Sequence, residues 1–189
     1  MKMLASLVLV GIVLFGIGAG TWAYFDDTET SSGNYIAAGT LDLKLGDGSS
    51  TWLDDPYIPN YTVKDVYPGW SDWLDFYAKN FGSIDGDLYM TVTYTEGVGE
   101  TPEPEGTPDD PVLDDKLYIA VYVDGVLKDN ETLSWWAAHP DYSLGDLNAG
   151  DMAHIKIVGY IPTIVGNEIQ GDWVNVTVKF KLVQDGYSP

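Results

Sequence analysis

Apolar and polar side chains alternate along several segments of the chain with the period of two that is typical of β-strands. In the clearest segment, Trp173–Val183, valine, phenylalanine and leucine face one way while asparagine, threonine and lysine face the other. One apolar face and one polar face indicate an antiparallel sheet that covers a core. The same reasoning predicts further strands at 35–45, 61–66, 70–80, 88–94, 117–123, 126–127 and 154–161.

Seven or eight strands are enough for two packed sheets, so we predict an all-β protein with one antiparallel β-sandwich domain over residues 35–189. Asp124-Gly125 offers a two-residue hairpin turn between two of the strands. A short helix is predicted only at Leu133–Ala138. The segment Gly97–Pro111 has no apolar period and is rich in proline, glycine and acids, which predicts an exposed acidic loop at 97–111.

The chain begins with a lysine and then the uncharged apolar run Met3–Ile17, followed by small residues, which is the pattern of a secretory signal peptide. Thr21 and Ala23 suit the third-last and last positions of a leader. We therefore expect a signal peptide over residues 1–23, cleaved between Ala23 and Tyr24. The run is also long enough for a transmembrane anchor. With a cleaved leader or with an anchor, the rest of the chain lies outside the membrane. Only an uncleaved leader would attach it there.

The composition agrees with an extracellular protein. The chain has 189 residues, no cysteine and a formal charge of −20, from 29 acids against 9 basic residues, all of them lysine. Without cysteine there is neither a disulfide framework nor a thiolate metal site. A field of this sign repels phosphate backbones and anionic lipids, so nucleic acid is not an expected partner.

The end of the leader resembles a known family. Residues 20–27, GTWAYFDD, and residues 36–43, IAAGTLDL, are similar to the TasA/camelysin (CalY) family of biofilm-fibre proteins and to the related archaeal bundling pilins. The resemblance continues in the same order downstream. It includes a Pro-Gly turn at 67–70, an aromatic-rich strand at 73–80 and the approach to the last strand at 167–173.

This resemblance implies a jelly-roll sandwich and a function. In the family, the segment after the leader is donated to a neighbouring subunit as an added strand, so residues 24–34 become a free N-terminal donor strand. The expected protein is a secreted structural subunit that polymerises with identical copies into extracellular, cell-surface filaments of a biofilm matrix, with lateral bundling as a further contact. The expected donor residues are Tyr24, Phe25, Asp26, Asp27, Thr28, Glu29 and Thr30.

Catalytic motifs are absent from the sequence. Its two histidines, His139 and His154, do not form the His-Glu-x-x-His spacing that places two imidazoles on one zinc ion. Gly-x-Ser-x-Gly is missing as well. We therefore predict that the protein is not an enzyme and needs no cofactor. Because some camelysin relatives carry a metallopeptidase label, a camelysin-like metallopeptidase stays as an alternative.

Calcium is the one metal that the composition suggests, because calcium prefers clustered carboxylate and carbonyl oxygens. Two acidic loops supply such groups, and their candidate ligands are Asp85, Asp87, Asp109 and Asp110. No EF-hand spacing accompanies them, and solvated acidic loops explain the same residues.

Aromatic residues suggest a second alternative. The chain has 7 tryptophans and 13 tyrosines, and exposed rings of this kind can stack on sugars, so a monomeric cell-surface carbohydrate-binding module is the other function to consider. Trp70, Trp73, Phe76 and Tyr77, however, fall on both faces of one predicted strand. That pattern favours a core position on one face and a subunit contact on the other.

Three sequons for N-glycosylation occur, at Asn60, Asn130 and Asn175. Asn175 and Thr177 share the polar face of the last predicted strand, so a glycan there is sterically acceptable if that face is free. Threonine and serine are frequent in this chain, so the three matches are also compatible with chance.

Overall fold

The computed structural model describes residues 39–54, 61–98 and 111–187. Several predictions therefore lie outside the described residues. They concern the signal peptide at 1–23, its cleavage between Ala23 and Tyr24, the donor strand at 24–34, the sequon at Asn60, and the candidate calcium ligands Asp109 and Asp110.

The described chain is built from β-strands with two short α-helices and one 3₁₀ turn. The helices are α1, Leu113–Lys116, and α2, Leu133–Ala138, and the 3₁₀ turn is Asn167–Ile169. The strands are β1 Leu43–Gly46, β2 Trp52–Leu53, β3 Tyr61–Val63, β4 Ser71–Asn80, β5 Gly86–Gly97, β6 Tyr118–Val123, β7 Val126–Thr132, β8 Tyr142–Asp146, β9 Met152–Tyr160 and β10 Trp173–Gln184. No helix among these residues is long and apolar enough to cross a membrane.

The strands form two antiparallel sheets. One sheet has the order β2-β1-β4-β9-β6-β7 and the other has the order β3-β10-β5-β8. From β3 onward the chain changes sheet at every connection except the hairpin between β6 and β7. This alternation is the connectivity of a jelly-roll sandwich, so the predicted fold class is confirmed.

The core lies between the sheets and is formed by every second residue of the long strands. In β10, Val174 is fully buried and Val176 is 7% exposed, whereas Lys179 and Lys181, at the alternate positions of this strand, are exposed. Phe76 of β4 and Ile155 of β9 belong to the same core cluster from the opposite sheet. The alternation read from the sequence is therefore the alternation between core and solvent.

Two predicted turns have the backbone conformations that their residues favour. Asp124 and Gly125 have φ angles of 51° and 79°, as a two-residue hairpin of type I′ requires, and they join β6 to β7. In the turn before β4, the amide of Trp70 donates to the carbonyl oxygen of Tyr67 at 2.9 Å, and Gly69 has a φ of 90°. Both turns set the direction of the following strand.

The boundaries of some elements differ from the prediction. Helix α2 spans the predicted residues, with Thr132 accepting a hydrogen bond from the amide of Trp135 as its N-cap. The first strand, predicted at 35–45, starts at Leu43 within the described residues, because 40–42 instead bond to the turn after β4. Gly97, the first residue of the predicted acidic loop, still belongs to β5 and pairs with Trp173, and residues 99–110 of that loop lie outside the described residues.

Asn80 holds the end of β4 to two neighbouring turns. It is fully buried, and its Nδ2 donates to the carbonyl oxygens of Ile84 at 2.9 Å and Leu147 at 3.1 Å, while its Oδ1 accepts from the amide of Gly82 at 2.9 Å. These three hydrogen bonds stabilise the two turns, because each of the three backbone groups would otherwise lack a partner.

We predict that Asn80→Ala lowers the free energy of unfolding by about 3 kcal/mol, since it leaves three backbone groups without a partner at roughly 1 kcal/mol or more each. Chemical denaturation measured by tryptophan fluorescence tests this. The control is Asn148→Ala, an exposed asparagine in the turn after β8, which is expected to change stability by less than about 0.5 kcal/mol. Equal losses in the two variants would contradict the role given to Asn80.

Candidate assembly site

Strand β10 has neighbours of very different length on its two sides. On one side it pairs with β5 along its whole length, from Trp173 to Gln184. On the other side β3 covers only Val174, Asn175 and Val176. The stretch Val178–Val183 therefore has no strand on its outer side among the described residues. Backbone N–H and C=O groups along such an edge are a template for another strand.

The inward side chains along this edge are apolar and only partly covered. Val178, Phe180 and Leu182 pack against the core cluster while retaining partial exposure. The ring of Phe180 contacts Phe76 edge-on, with 5.4 Å between centroids. Among the described residues, no strand pairs with the outer backbone groups of Val178–Val183, which lie beside this apolar margin, and we call this stretch the β10 edge.

A partly open apolar cavity of about 50 Å³ lies between the sheets at the start of the β10 edge. Its lining is almost entirely apolar and comes from both sheets. The lining residues are Tyr61, Val63, Trp70, Asp72, Trp73, Leu74, Met90, Val92, Leu117, Ile119, Ile157, Gly159, Val176 and Val178. An apolar side chain that enters this space would lose its hydration without losing any hydrogen bond.

A hydrogen bond between the two sheets lies at the rim of this cavity. The Tyr61 hydroxyl on β3 donates to the Asp72 carboxylate on β4. Burial, followed by this hydrogen bond, raises the pKa of Tyr61 to about 12. The bond ties the short strand β3 to the opposite sheet, and so fixes one wall of the cavity next to the β10 edge.

A second group of titratable residues lies where β5 ends and α1 begins. Burial, followed by the nearby carboxylates of Asp114, Asp172 and Asp115, raises the pKa of Glu96 to about 7. The Glu96 Oε2 atom is buried and has no hydrogen-bond partner among the described residues. Asp114 already accepts a bond from the Tyr94 hydroxyl at 2.5 Å. Because these carboxylates lie close together, a further negative charge is unfavourable where β5 ends and α1 begins.

The two histidines lie apart from each other and have structural contacts. His139 follows α2, where its ring stacks on Trp135 at 4.0 Å and its Nδ1 contacts the Trp135 carbonyl oxygen at 2.8 Å. His154 lies on β9, with its Nε2 bonded to the carboxylate of Asp75. Within the described ranges, no three or more histidine or acidic side chains are grouped so that they could hold a metal ion.

The described calcium candidates lie beside other acids at one end of the four-stranded sheet. Asp85 accepts a hydrogen bond from the amide of Ala149 at 2.9 Å. Burial, followed by the neighbouring Asp146 and Asp185, raises the pKa of Asp87. Calcium binding at Asp85 and Asp87 stays a prediction.

The two described sequons have different environments. Asn130 is exposed on the edge strand β7, and its side chain bonds to Tyr160. Asn175 is half-buried on the outer face of the four-stranded sheet, where its Oδ1 accepts from Thr62 at 2.5 Å. Asn130 is thus the more accessible acceptor of the two, and modification of either residue stays a prediction.

The aromatic residues of the β4 region lie on both faces of the sheet, as the sequence indicates. Phe76 is buried at 2% exposure and Trp70 packs against the core, whereas Trp73 is 61% exposed and Tyr77 is half-buried on the outer face. The core position of one face is confirmed, and a subunit contact on the other face stays a prediction.

Sequence patterns did not indicate the β10 edge. It depends on where β3 begins, because Tyr61, the first described residue of β3, pairs with Val176, the last residue of β10 that β3 covers.

Comparison with known proteins identifies one family. The model of the family described as camelysin metallo-endopeptidase matches residues 2–101, just over half of the chain. This match confirms the resemblance carried by the leader junction. The search of curated proteins finds no match.

We predict that the protein is less stable at pH 8 than at pH 5, and that Glu96→Gln reduces this difference. The pKa of Glu96 is raised from 4.5 to about 7 in the folded state, so the folded state binds a proton more tightly than the unfolded state. Stability is therefore lost as pH rises through this window. Melting temperatures at the two pH values test this, with Glu131→Gln on β7 as the control. A variant as pH-dependent as the parent protein would contradict it.

We also predict that the purified protein does not cleave casein with or without added zinc. Neither described histidine belongs to a metal-binding group, so His139→Ala and His154→Ala should leave the absence of cleavage unchanged. A fluorogenic casein assay with and without a chelator measures this. Chelator-sensitive cleavage that disappears in either variant would show that the protein is a metallopeptidase.

Proposed function

Because the chain belongs to the camelysin family, which includes structural TasA-like members, we propose that it is a secreted subunit that polymerises into extracellular filaments of a biofilm matrix. Polymerisation occurs by donor-strand complementation. Residues 24–34 of one subunit, released when the leader is cleaved after Ala23, add as a strand to the next subunit. The β10 edge is the acceptor.

The single observation that carries this proposal is the β10 edge. β3 pairs with three residues of β10, and Val178–Val183 extends past it with no described strand alongside. A donor strand placed there would extend the four-stranded sheet in line with β3 and pair with the backbone groups along the outer side of Val178–Val183. This is β-augmentation at an edge whose geometry is already fixed by the long pairing with β5.

The apolar cavity supports the same assignment, because it provides the specificity that backbone pairing lacks. It begins beside Val176 and Val178, on the inward side of β10, next to the position that an added strand would take. Tyr24 and Phe25 are the aromatic residues of the proposed donor. An aromatic side chain placed over the cavity mouth would bury apolar area on both partners at about 25 cal/mol per Å².

Donation from one subunit to the next is a head-to-tail contact that uses two different surfaces. Such a contact does not close on itself, and repeating it gives a filament. The formal charge of −20 opposes close approach of subunits, so the contact needs burial and strand pairing rather than charge attraction. Lateral bundling of filaments is then a separate and weaker contact.

We predict that deleting residues 24–34 gives a folded subunit that cannot form filaments, because the acceptor is intact and the donor is missing. A peptide with the sequence of residues 24–34 should bind this subunit and raise its melting temperature, by about 2.7 kcal/mol of stabilisation at a hundredfold excess over Kd. Electron microscopy and thermal melts measure the two effects. Filaments of normal appearance from the deleted protein would exclude this segment as the donor.

The acceptor is tested by a matched pair of variants on neighbouring residues of β10. Val178→Glu places a carboxylate on the inward, apolar side of the edge, and should weaken peptide binding by about tenfold or more. Lys179→Glu makes a larger change of charge on the exposed outer side and should bind the peptide nearly as the parent does. On the donor side, Phe25→Asp should weaken binding more than Glu29→Gln. Equal binding by both acceptor variants would place the donor elsewhere.

A further inference from the structure

The outer face of the six-stranded sheet has aromatic side chains on three neighbouring strands. Trp73 lies on β4, Tyr160 on β9, and Tyr118 and Tyr122 on β6. The sequence neighbours of the tyrosines, such as Ile119 and Ile161, are buried in the core, and Trp73 is itself largely exposed, so these rings lie on the solvent side. The strands are about 4.8 Å apart, and the register places Tyr118 directly opposite Tyr160. We call these four residues the aromatic face.

Trp73 is the most exposed ring of the aromatic face. It is 61% exposed, and the Lys156 ammonium group lies 5.9 Å from the centre of its ring. Together with the tyrosines beside it, this indole forms an exposed aromatic patch on a central strand, and such patches mark binding surfaces.

Tyr160 is held in one position by hydrogen bonds. Its hydroxyl accepts from Asn130 Nδ2 at 2.9 Å and lies 3.1 Å from Asn130 Oδ1. β6 lies between β9 and β7, so this side chain crosses β6 to reach Asn130. The crossing accounts for the 4% exposure of Ala120, which also lies on the outer side of β6. Tyr118 stacks on Tyr160 at 5.5 Å and 25°. Rings fixed in this way lose little entropy when a ligand binds.

Groups that form hydrogen bonds surround the rings. The Lys156 ammonium group and the Asn130 amide lie beside Trp73 and Tyr160, and the bonded pair Asp75–His154 lies further along the same face. Sugars present a C–H surface that stacks on aromatic rings and hydroxyls that both donate and accept hydrogen bonds. The aromatic face offers both kinds of contact within the span of three strands.

The negative charge of the protein favours neutral polysaccharides over polyanionic ones. The protein carries a formal charge of −20, and Lys156 lies directly opposite Asp75 on the neighbouring strand. A polyanionic glycan would be repelled over its whole length, whereas a neutral glycan meets no such field.

We infer that the aromatic face binds neutral polysaccharide, with Trp73 and Tyr160 as the stacking residues and Lys156 and Asn130 as hydrogen-bonding residues. This binding is a second function beyond filament formation and uses a different surface from the β10 edge. A filament with this property would attach to the matrix glycan along its length.

Native affinity electrophoresis tests the inference with the full chain and gels that contain hydroxyethyl cellulose, xyloglucan, galactomannan or alginate. We expect retardation by at least one of the three neutral polymers and none by alginate. Trp73→Ala should weaken that retardation about tenfold, which corresponds to roughly 1.4 kcal/mol. Tyr160→Phe should weaken it less, because the ring stays and only its bond to Asn130 is lost. Tyr89→Ala, on the outer face of the other sheet, is the matched control and should bind as the parent does.

Melting temperatures of all variants are measured alongside, since Trp73 is exposed and its loss should leave the fold intact. Retardation by alginate alone, no retardation by any neutral polymer, or equal binding by the parent and Trp73→Ala would each overturn the inference. The same variants examined by electron microscopy keep the two functions separate. Normal filaments without glycan binding would leave donor-strand assembly standing, while glycan binding by a subunit that forms no filaments would leave the aromatic face standing.

Discussion

The pairing of β5 with β10 is the interaction on which the rest of the sandwich depends. These two strands are the longest in the described chain and remain paired from one end to the other, from Trp173 beside Gly97 to Gln184 beside Gly86. They form the centre of the four-stranded sheet, and their inward residues supply much of the core. Because β3 and β8 are much shorter within the described residues, this central ladder extends there beyond its neighbours. The edge proposed as the acceptor is a direct consequence of that mismatch.

The features that the sequence predicted are those determined by neighbouring residues. Helix α2 follows a threonine cap and ends before a proline, and the alternation in β10 follows from burial of every second residue. Strand β8 was not predicted, because Leu144 is its only buried residue and its position depends on pairing with β5. Strand β2 has two residues and exists through its pairing with β1. Such elements are set by long-range partners, which a local pattern cannot report.

The candidate sites also depend partly on neighbouring residues and partly on the pairing of distant strands. The exposure of Trp73 follows from its parity in β4, which the sequence contains. Its position beside Lys156 of β9 and near Tyr160 requires the register of two strands that are distant in the chain. The β10 edge requires still more, since it depends on where a different strand, β3, begins. A resemblance to a family known for donor strands indicated that an acceptor should exist, but only the pairing of strands indicates where.

The arrangement of these surfaces has a consequence for a filament of such subunits. Adding a strand at the edge of a sheet extends the sheet in its own plane, and therefore leaves the two outer faces uncovered. The β10 edge lies in the four-stranded sheet, while Trp73 and Tyr160 lie on the outer side of the other sheet. Polymerisation through the edge would thus repeat the aromatic face once in every subunit. Weak stacking at each copy would then combine through multivalency, so that a long filament holds a polysaccharide chain far more tightly than one subunit does.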